Sequence, residues 1–127
     1  MKIEDDIKLV KVETASEMLI ATQENLPVDV AIFSAAVADF KVFEKNSEKI
    51  KKKDELTIKL EKNIDILNYV SNHNSMRPRL VVGFAAETND FKKNAIKKLK
   101  EKNCDIIIAN DVSDQKIGFD SDFNEVT

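Results

Sequence analysis

Three stretches of the chain are almost continuously apolar: "VDVAIFSAAVA" (28–38), "RLVVGF" (79–84) and "CDIIIAN" (104–110). Runs of this length suit strands, and a strand apolar on both faces belongs in a parallel sheet covered on both sides. Segments with helical spacing separate them. "TASEMLIATQENLP" offers Thr14 or Ser16 as an N-cap, turns Met18, Leu19 and Ala21 inward, and exits at Pro27. "NIDILNYVSNHN" (63–74) predicts a helix capped by Asn63 with Ile66, Leu67 and Val70 on one face. "NDFKKNAIKKLKEKN" (89–103) predicts an amphipathic helix that buries Phe91, Ala95, Ile96 and Leu99. "IKLVKVE" (7–13) and "LTIKL" (56–60) alternate apolar and polar residues, as half-buried strands do. Strands and helices that alternate in this way predict an α/β fold, a parallel sheet flanked by helices. The 127 residues suit one domain spanning 1–127.

In an open parallel sheet, ligands bind beyond the carboxyl ends of the strands. That rule selects "SAAVADF" after the first apolar run, "GFAAETND" after the second, with Phe84 at the strand end, and "ANDVSD" after the third. Small residues there let a ligand approach the backbone. The nearby Asp39, Glu87 and Asp111 can bind ribose hydroxyls or a hydrated metal, although carboxylates at such places are more often caps or turn formers.

Glycine usage narrows the choice of ligand site. Gly83 and Gly118 are the only two glycines, where average usage would give about nine. A GxGxxG loop or a P-loop needs several, so a nucleotide bound here is held by other means. The formal net charge of −3 argues against broad nucleic-acid binding. Positive charge is nevertheless concentrated in "KIKKK" (49–53), inside a polar stretch, 39–55, that is long for a plain connector. Taken alone, such a run is usually a solvated loop. Lys98 and Lys102, four apart on one helix face, are by themselves ordinary helix solvation. Cys104 is the single cysteine, so no internal disulfide forms, and a reducing, cytoplasmic setting is expected. Neither it nor His73 has a partner at ligand or dyad spacing. "MKIEDD" is unlike a signal peptide, and no apolar run has membrane-spanning length.

No single feature is specific, but their order is. "TASEM" (14–18), "SAAVADF" (34–40), "KIKK" (49–52), "DELTIKL" (54–60), "KNIDIL" (62–67), "VVGFAAET" (81–88), "NAIKKLKEKNCDIIIANDVS" (94–113) and "GFDSDFN" (118–124) follow one another through most of the chain. The series resembles phosphopantothenoylcysteine synthetase, the C-terminal part of the bifunctional coenzyme A biosynthesis flavoprotein. The resemblance implies a Rossmann-like, three-layer fold with a lysine-rich flap and a short extra strand. It implies a CTP-dependent, Mg²⁺-assisted ligase that activates 4′-phosphopantothenate as an acyl-cytidylate, which the amine of cysteine then attacks to release CMP. Nucleotide contacts carried over by resemblance fall at Phe33, Ser34, Ala35, Asp39, Lys49, Ile64, Asp65, Ile66, Leu67, Phe84, Lys98 and Lys102. Ala35 and Ala36 would border the substrate, and Lys49 would be catalytic.

The physical reading of those positions agrees with the resemblance. A helix start at 64–67 offers N–H groups to phosphate, and lysines from separate elements can converge on a triphosphate. Ile64 departs from the family, which usually has proline at that first helical position. The family's opening strands, with an asparagine needed for turnover, and its closing strand and helix have no counterpart here, so the chain reads as a fragment expected to be inactive alone. With those strands missing, the 7–13 strand is expected to pair with 28–35 or with a neighbouring chain. The family's habit implies a homodimer, with "DELTIKL" as a possible pairing edge. Its flavin belongs to the other, decarboxylase part, so none is expected here; nor is a nucleic-acid or membrane partner. Preference for CTP over ATP stays open. A second reading is a noncatalytic nucleotide-binding or assembly module built on the same fold.

Overall fold

A computed structural model describes residues 7–44, 48, 56–87 and 90–111. Along the chain the elements are α1 (Ala15–Glu24), β1 (Val30–Phe33), β2 (Phe40–Val42), β3 (Leu60–Lys62), α2 (Ile66–Ser71), β4 (Leu80–Glu87), α3 (Phe91–Glu101) and β5 (Ile106–Asp111). They fall into two compact units. Met1–Asn25 and Val37–Ile64 make the first, and Leu26–Ala36 and Asp65–Thr127 make the second.

The second unit is the parallel sheet with α2 and α3. Strand order is β1-β4-β5, with Val30 opposite Leu80 and Phe33 opposite Gly83 on one side of β4, and Phe84 opposite Ile108 on the other. Ile66 and Val70 of α2, Val81, Val82 and Ala85 of β4, and Ala109 of β5 form its buried core. Gly83 sits where α2 crosses the sheet. A Cβ there would come within 2.9 Å of both the Leu67 and Ile107 methyl ends, so a larger residue would make those two side chains shift, and the constraint is one of packing and not of backbone angles. The α/β class and the parallel sheet flanked by helices are as the sequence predicts.

In the first unit, α1 opens with a capping box. The Thr14 hydroxyl accepts from the Glu17 N–H at 3.1 Å, and the Glu17 carboxylate accepts from the N–H groups of Glu13 and Thr14. Thr14, not Ser16, is therefore the cap. β2 and β3 pair antiparallel, Phe40 opposite Lys62 and Val42 opposite Leu60, so Phe40, Val42 and Leu60 share one face and Lys41 and Glu61 share the other. The latter two are ion-paired at 3.1 Å. Lys59 stands 4.2 Å from the ring centre of Phe43.

Several boundaries differ from expectation, each for a physical reason. Residues 7–13 form no strand and are exposed; alternation marks a strand only where a neighbour receives its ladder bonds, and among the described residues none does. β1 ends at Phe33 and is not buried on both faces, with Val30 50% and Ile32 64% exposed. It has β4 on one side only among the described residues. β2 lies inside the stretch expected to be loop, and β3 begins at Leu60, later than "LTIKL" predicts. α2 is shorter than 63–74 and is capped by Asp65, not Asn63. β4 runs on through Ala85 to Glu87, which puts Phe84 mid-strand. β5 likewise includes Asp111. On α3, where burial is expected, Ala95 and Leu99 are only half-buried and Ile96 is 55% exposed, while the Phe91 side chain lies outside the described residues.

Candidate functional site

Parallel strands bring the predicted residues of the second unit into register. Phe33 is half-buried beside Gly83, and the exposed Ser34, Ala35 and Ala36 follow it off the carboxyl end of β1. Phe84, one residue beyond Gly83, is also half-buried. The small residues at 34–36 leave the backbone open to a ligand at the strand end where the sheet rule expects one.

α2 begins at the same group of predicted residues. The Asp65 carboxylate accepts from the Asn68 N–H at 2.9 Å and so caps the helix. The N–H groups of Ile66 and Leu67, its first two residues, have no acceptor within the helix. Ile66 itself is core, at 5% exposure, so only its backbone can face a ligand. The second oxygen of Asp65 pairs with the ammonium of Lys102, the C-cap of α3. Lys98, one turn earlier, accepts the Lys102 N–H at its carbonyl, 2.9 Å away, and both lysines are half-buried. The structure thus joins Asp65 and Lys102 directly and sets Lys98 beside them along α3.

In the first unit, Asp39 and Ile64 are brought together by Asn63. Its N–H donates to the Asp39 carbonyl at 2.8 Å and its side-chain amide donates to the Ala38 carbonyl at 2.8 Å. The Asp39 and Ile64 side chains are exposed. Lys49, like all of "KIKKK", lies outside the described residues.

A second polar cluster occupies the amino ends of β4 and β5. The Arg77 guanidinium donates to the carbonyls of Ser71, Pro78 and Asn103 at 2.8–3.0 Å and pairs with the Asp105 carboxylate at 3.1 Å. Asp105 also accepts the N–H of fully buried Val81 at 2.7 Å. The Ser71 hydroxyl, completely buried, donates to the Lys102 carbonyl. The ends of both helices and the starts of both strands are stitched together at this point. Sequence reasoning missed the cluster. Its one signal was an aspartate directly ahead of an apolar strand, in "CDIII". Lying at the opposite end of the strands from residues 34–36, it is structural. Burial, reinforced by the Asp105 charge, pushes the neighbouring Cys104 thiol above its usual range, which fits an inert packing cysteine.

Residues 1–127 match throughout the DNA/pantothenate metabolism flavoprotein C-terminal domain. The chain belongs to that family. The coenzyme A biosynthesis bifunctional protein CoaBC of Escherichia coli (strain K12) is 46% identical over 123 residues, covering 93% of this chain and 30% of the relative's length. The C-terminal domain of a coenzyme A biosynthesis bifunctional protein CoaBC, a crystal structure, superposes with a TM-score of 0.63 at 39% identity, over 80% of this chain and 46% of that one. The DNA/pantothenate metabolism flavoprotein from Streptococcus pneumoniae, 20% identical, shares the fold at a TM-score of 0.72, over 99% of this chain and 68% of that one. The chain thus spans under a third of the curated relative. Membership of the flavoprotein C-terminal family bears out the resemblance drawn from the motif order. No helix among the described residues is long and apolar enough to cross a membrane.

Proposed function

We propose that this chain is the nucleotide-binding part of a CTP-dependent ligase that joins 4′-phosphopantothenate to cysteine through an acyl-cytidylate in coenzyme A biosynthesis. The observation that carries the reading is 46% identity, across 93% of the chain, to a protein named for coenzyme A biosynthesis. Geometry supports it. Phe33, Ser34 and Ala35 lie at or just past the carboxyl end of β1, and Phe84 stands mid-strand in β4, next to the Gly83 that faces Phe33. The N–H groups of Ile66 and Leu67, at a helix start, have no acceptor within the helix, and Lys98 and Lys102 lie on the helix whose end pairs with Asp65. Asp39, Ile64 and Lys49 complete the nucleotide contacts, and Ala35 and Ala36 border the pantothenate. In this reading the lysines bind and neutralise the triphosphate, and Lys49 stabilises charge on the acyl-nucleotide. Among the described residues no group of three or more His, Cys, Asp or Glu side chains could hold a metal. In this reading Mg²⁺ arrives with the nucleotide, in keeping with its habit of binding phosphates and water plus one or two carboxylates.

Titration calorimetry with CTP and with ATP in Mg²⁺ tests the reading, and saturable heat with CTP is expected. A folded sample giving neither heat nor a thermal shift with either nucleotide would overturn it. Binding by the full-length gene product without cysteine-dependent CMP release would favour a noncatalytic module instead.

The reading includes a homodimer. Phe40, Val42 and Leu60 line one face of the β2–β3 ribbon at 44–58% exposure, and an isolated two-stranded ribbon is marginal in water. A second copy of the same face would cover it. Light scattering is expected to show a dimer for the unsubstituted chain and a monomer for Leu60→Glu. A monomer in both cases would refute the dimer.

A further inference from the structure

The residues that the nucleotide reading draws from the first unit, Asp39 and Ile64, are linked by a side chain that the reading itself leaves without a role. Asn63 stands one residue beyond the last ladder pair, Phe40 with Lys62. Its backbone N–H reaches the Asp39 carbonyl and its Nδ2 reaches the Ala38 carbonyl, each at 2.8 Å. The ribbon does not need this side chain. Its register from Phe40–Lys62 to Val42–Leu60 and the Lys41–Glu61 ion pair stand independently of it. What the Asn63 side-chain amide adds is a hold on the carbonyl of Ala38, an exposed residue directly ahead of the exposed Asp39, that would otherwise turn to water.

We propose that Asn63 is a positioning residue for the nucleotide site, clamping Ala38 and Asp39 so that the Asp39 carboxylate is presented in one orientation next to Ile64. The inference rests on the nucleotide-binding reading and adds to it a residue that touches no ligand. The chemistry at this position is specific. The clamp requires a donor on a short side chain, because the partner is a carbonyl oxygen. Aspartate has the same shape but offers only acceptors when ionised, and would set a negative charge against that oxygen. Alanine leaves the carbonyl to solvent. Without the side-chain clamp, Asp39 keeps the backbone bond from the Asn63 N–H but loses the hold on the preceding Ala38 carbonyl, and a bound nucleotide must order the chain on that side.

The test uses the full chain with the substitutions Asn63→Asp and Asn63→Ala. CTP titration, thermal unfolding and amide hydrogen exchange are measured on each. CTP binding is expected to weaken about fivefold to tenfold, what one net hydrogen bond is worth. The unfolding midpoint should stay close to that of the unsubstituted chain, and the amides of residues 38–40 should exchange faster. A merely structural asparagine would lower the midpoint and leave the affinity of the folded protein unchanged. CTP binding within twofold of the unsubstituted chain in both variants would overturn the inference alone. If Asn63→Ala does not fold, the isosteric Asn63→Asp decides by the same readings. Failure of the unsubstituted chain to bind CTP would overturn the proposed function, and the inference with it.

Discussion

Asp105→Ala is expected to destabilise the sheet unit by about 1–4 kcal/mol, read as a lowered midpoint of denaturant unfolding. Most of that loss comes from one buried donor. The Val81 N–H, on a residue with no exposure, donates to the Asp105 carboxylate at 2.7 Å. Alanine removes that acceptor, and an unsatisfied buried N–H costs about 1–3 kcal/mol. The ion pair with Arg77 adds less. Its side chains are 29% and 36% exposed, so solvent screens it, and pairs of that kind are worth about 0–1 kcal/mol. Arg77 also keeps its bonds to the carbonyls of Ser71, Pro78 and Asn103. Asp105→Asn retains an acceptor for Val81 and should cost about 1 kcal/mol, the worth of a weakened neutral bond. Lys97→Ala, which removes an exposed helix pair with Glu101, should cost no more than about 0.5 kcal/mol. Equal losses for Asp105→Ala and Asp105→Asn would show that charge, not the Val81 bond, holds this corner.

The contrast between these residues and the predicted site explains what was legible in the sequence. Apolar runs and helical spacing report burial, so the parallel sheet, α3 and the order of elements could be read directly. Strand ends could not. "GFAAE" continues β4 because β5 lies alongside it, with Ala85 opposite Ala109 and Glu87 opposite Asp111. Composition alone had marked those small residues as a loop. Residues 7–13 show the converse, an alternating pattern with no described neighbour to pair with. Asn63 and Asp65 compete for one helix start, and either is a good cap by type. Asp65 wins because its carboxylate reaches the Asn68 N–H, while the Asn63 side chain is committed to Ala38. Of the candidate site, the segment order was readable because it resembles a family. The Asp65–Lys102 pair was not, since the two residues are 37 positions apart and only the tertiary fold brings the start of α2 to the end of α3.

Lys49→Gln in the full-length protein is expected to slow cysteine-dependent CMP release about 10²–10³-fold, the loss seen when one preorganised donor to a developing charge is removed. Lys53→Gln should leave the rate nearly unchanged. Lys49 lies outside the described residues, so the assignment rests on its place in "KIKK" and on the ligase reading. The physical argument concerns where charge accumulates. When the cysteine amine attacks the acyl-cytidylate, negative charge builds on the carbonyl oxygen and on the departing phosphate. A fixed ammonium stabilises that state more than the bound intermediate. Glutamine keeps much of the length and loses the charge, so binding of CTP should weaken far less than the rate falls. Lys53, four residues along in the same run, serves as the control for what general positive charge contributes. The two variants are compared by pyrophosphate release for the activation step and CMP release for ligation. Equal rates for Lys49→Gln and Lys53→Gln in both steps would return the "KIKKK" run to a solvated loop. A selective loss at Lys49 would make it the catalytic lysine of the reaction.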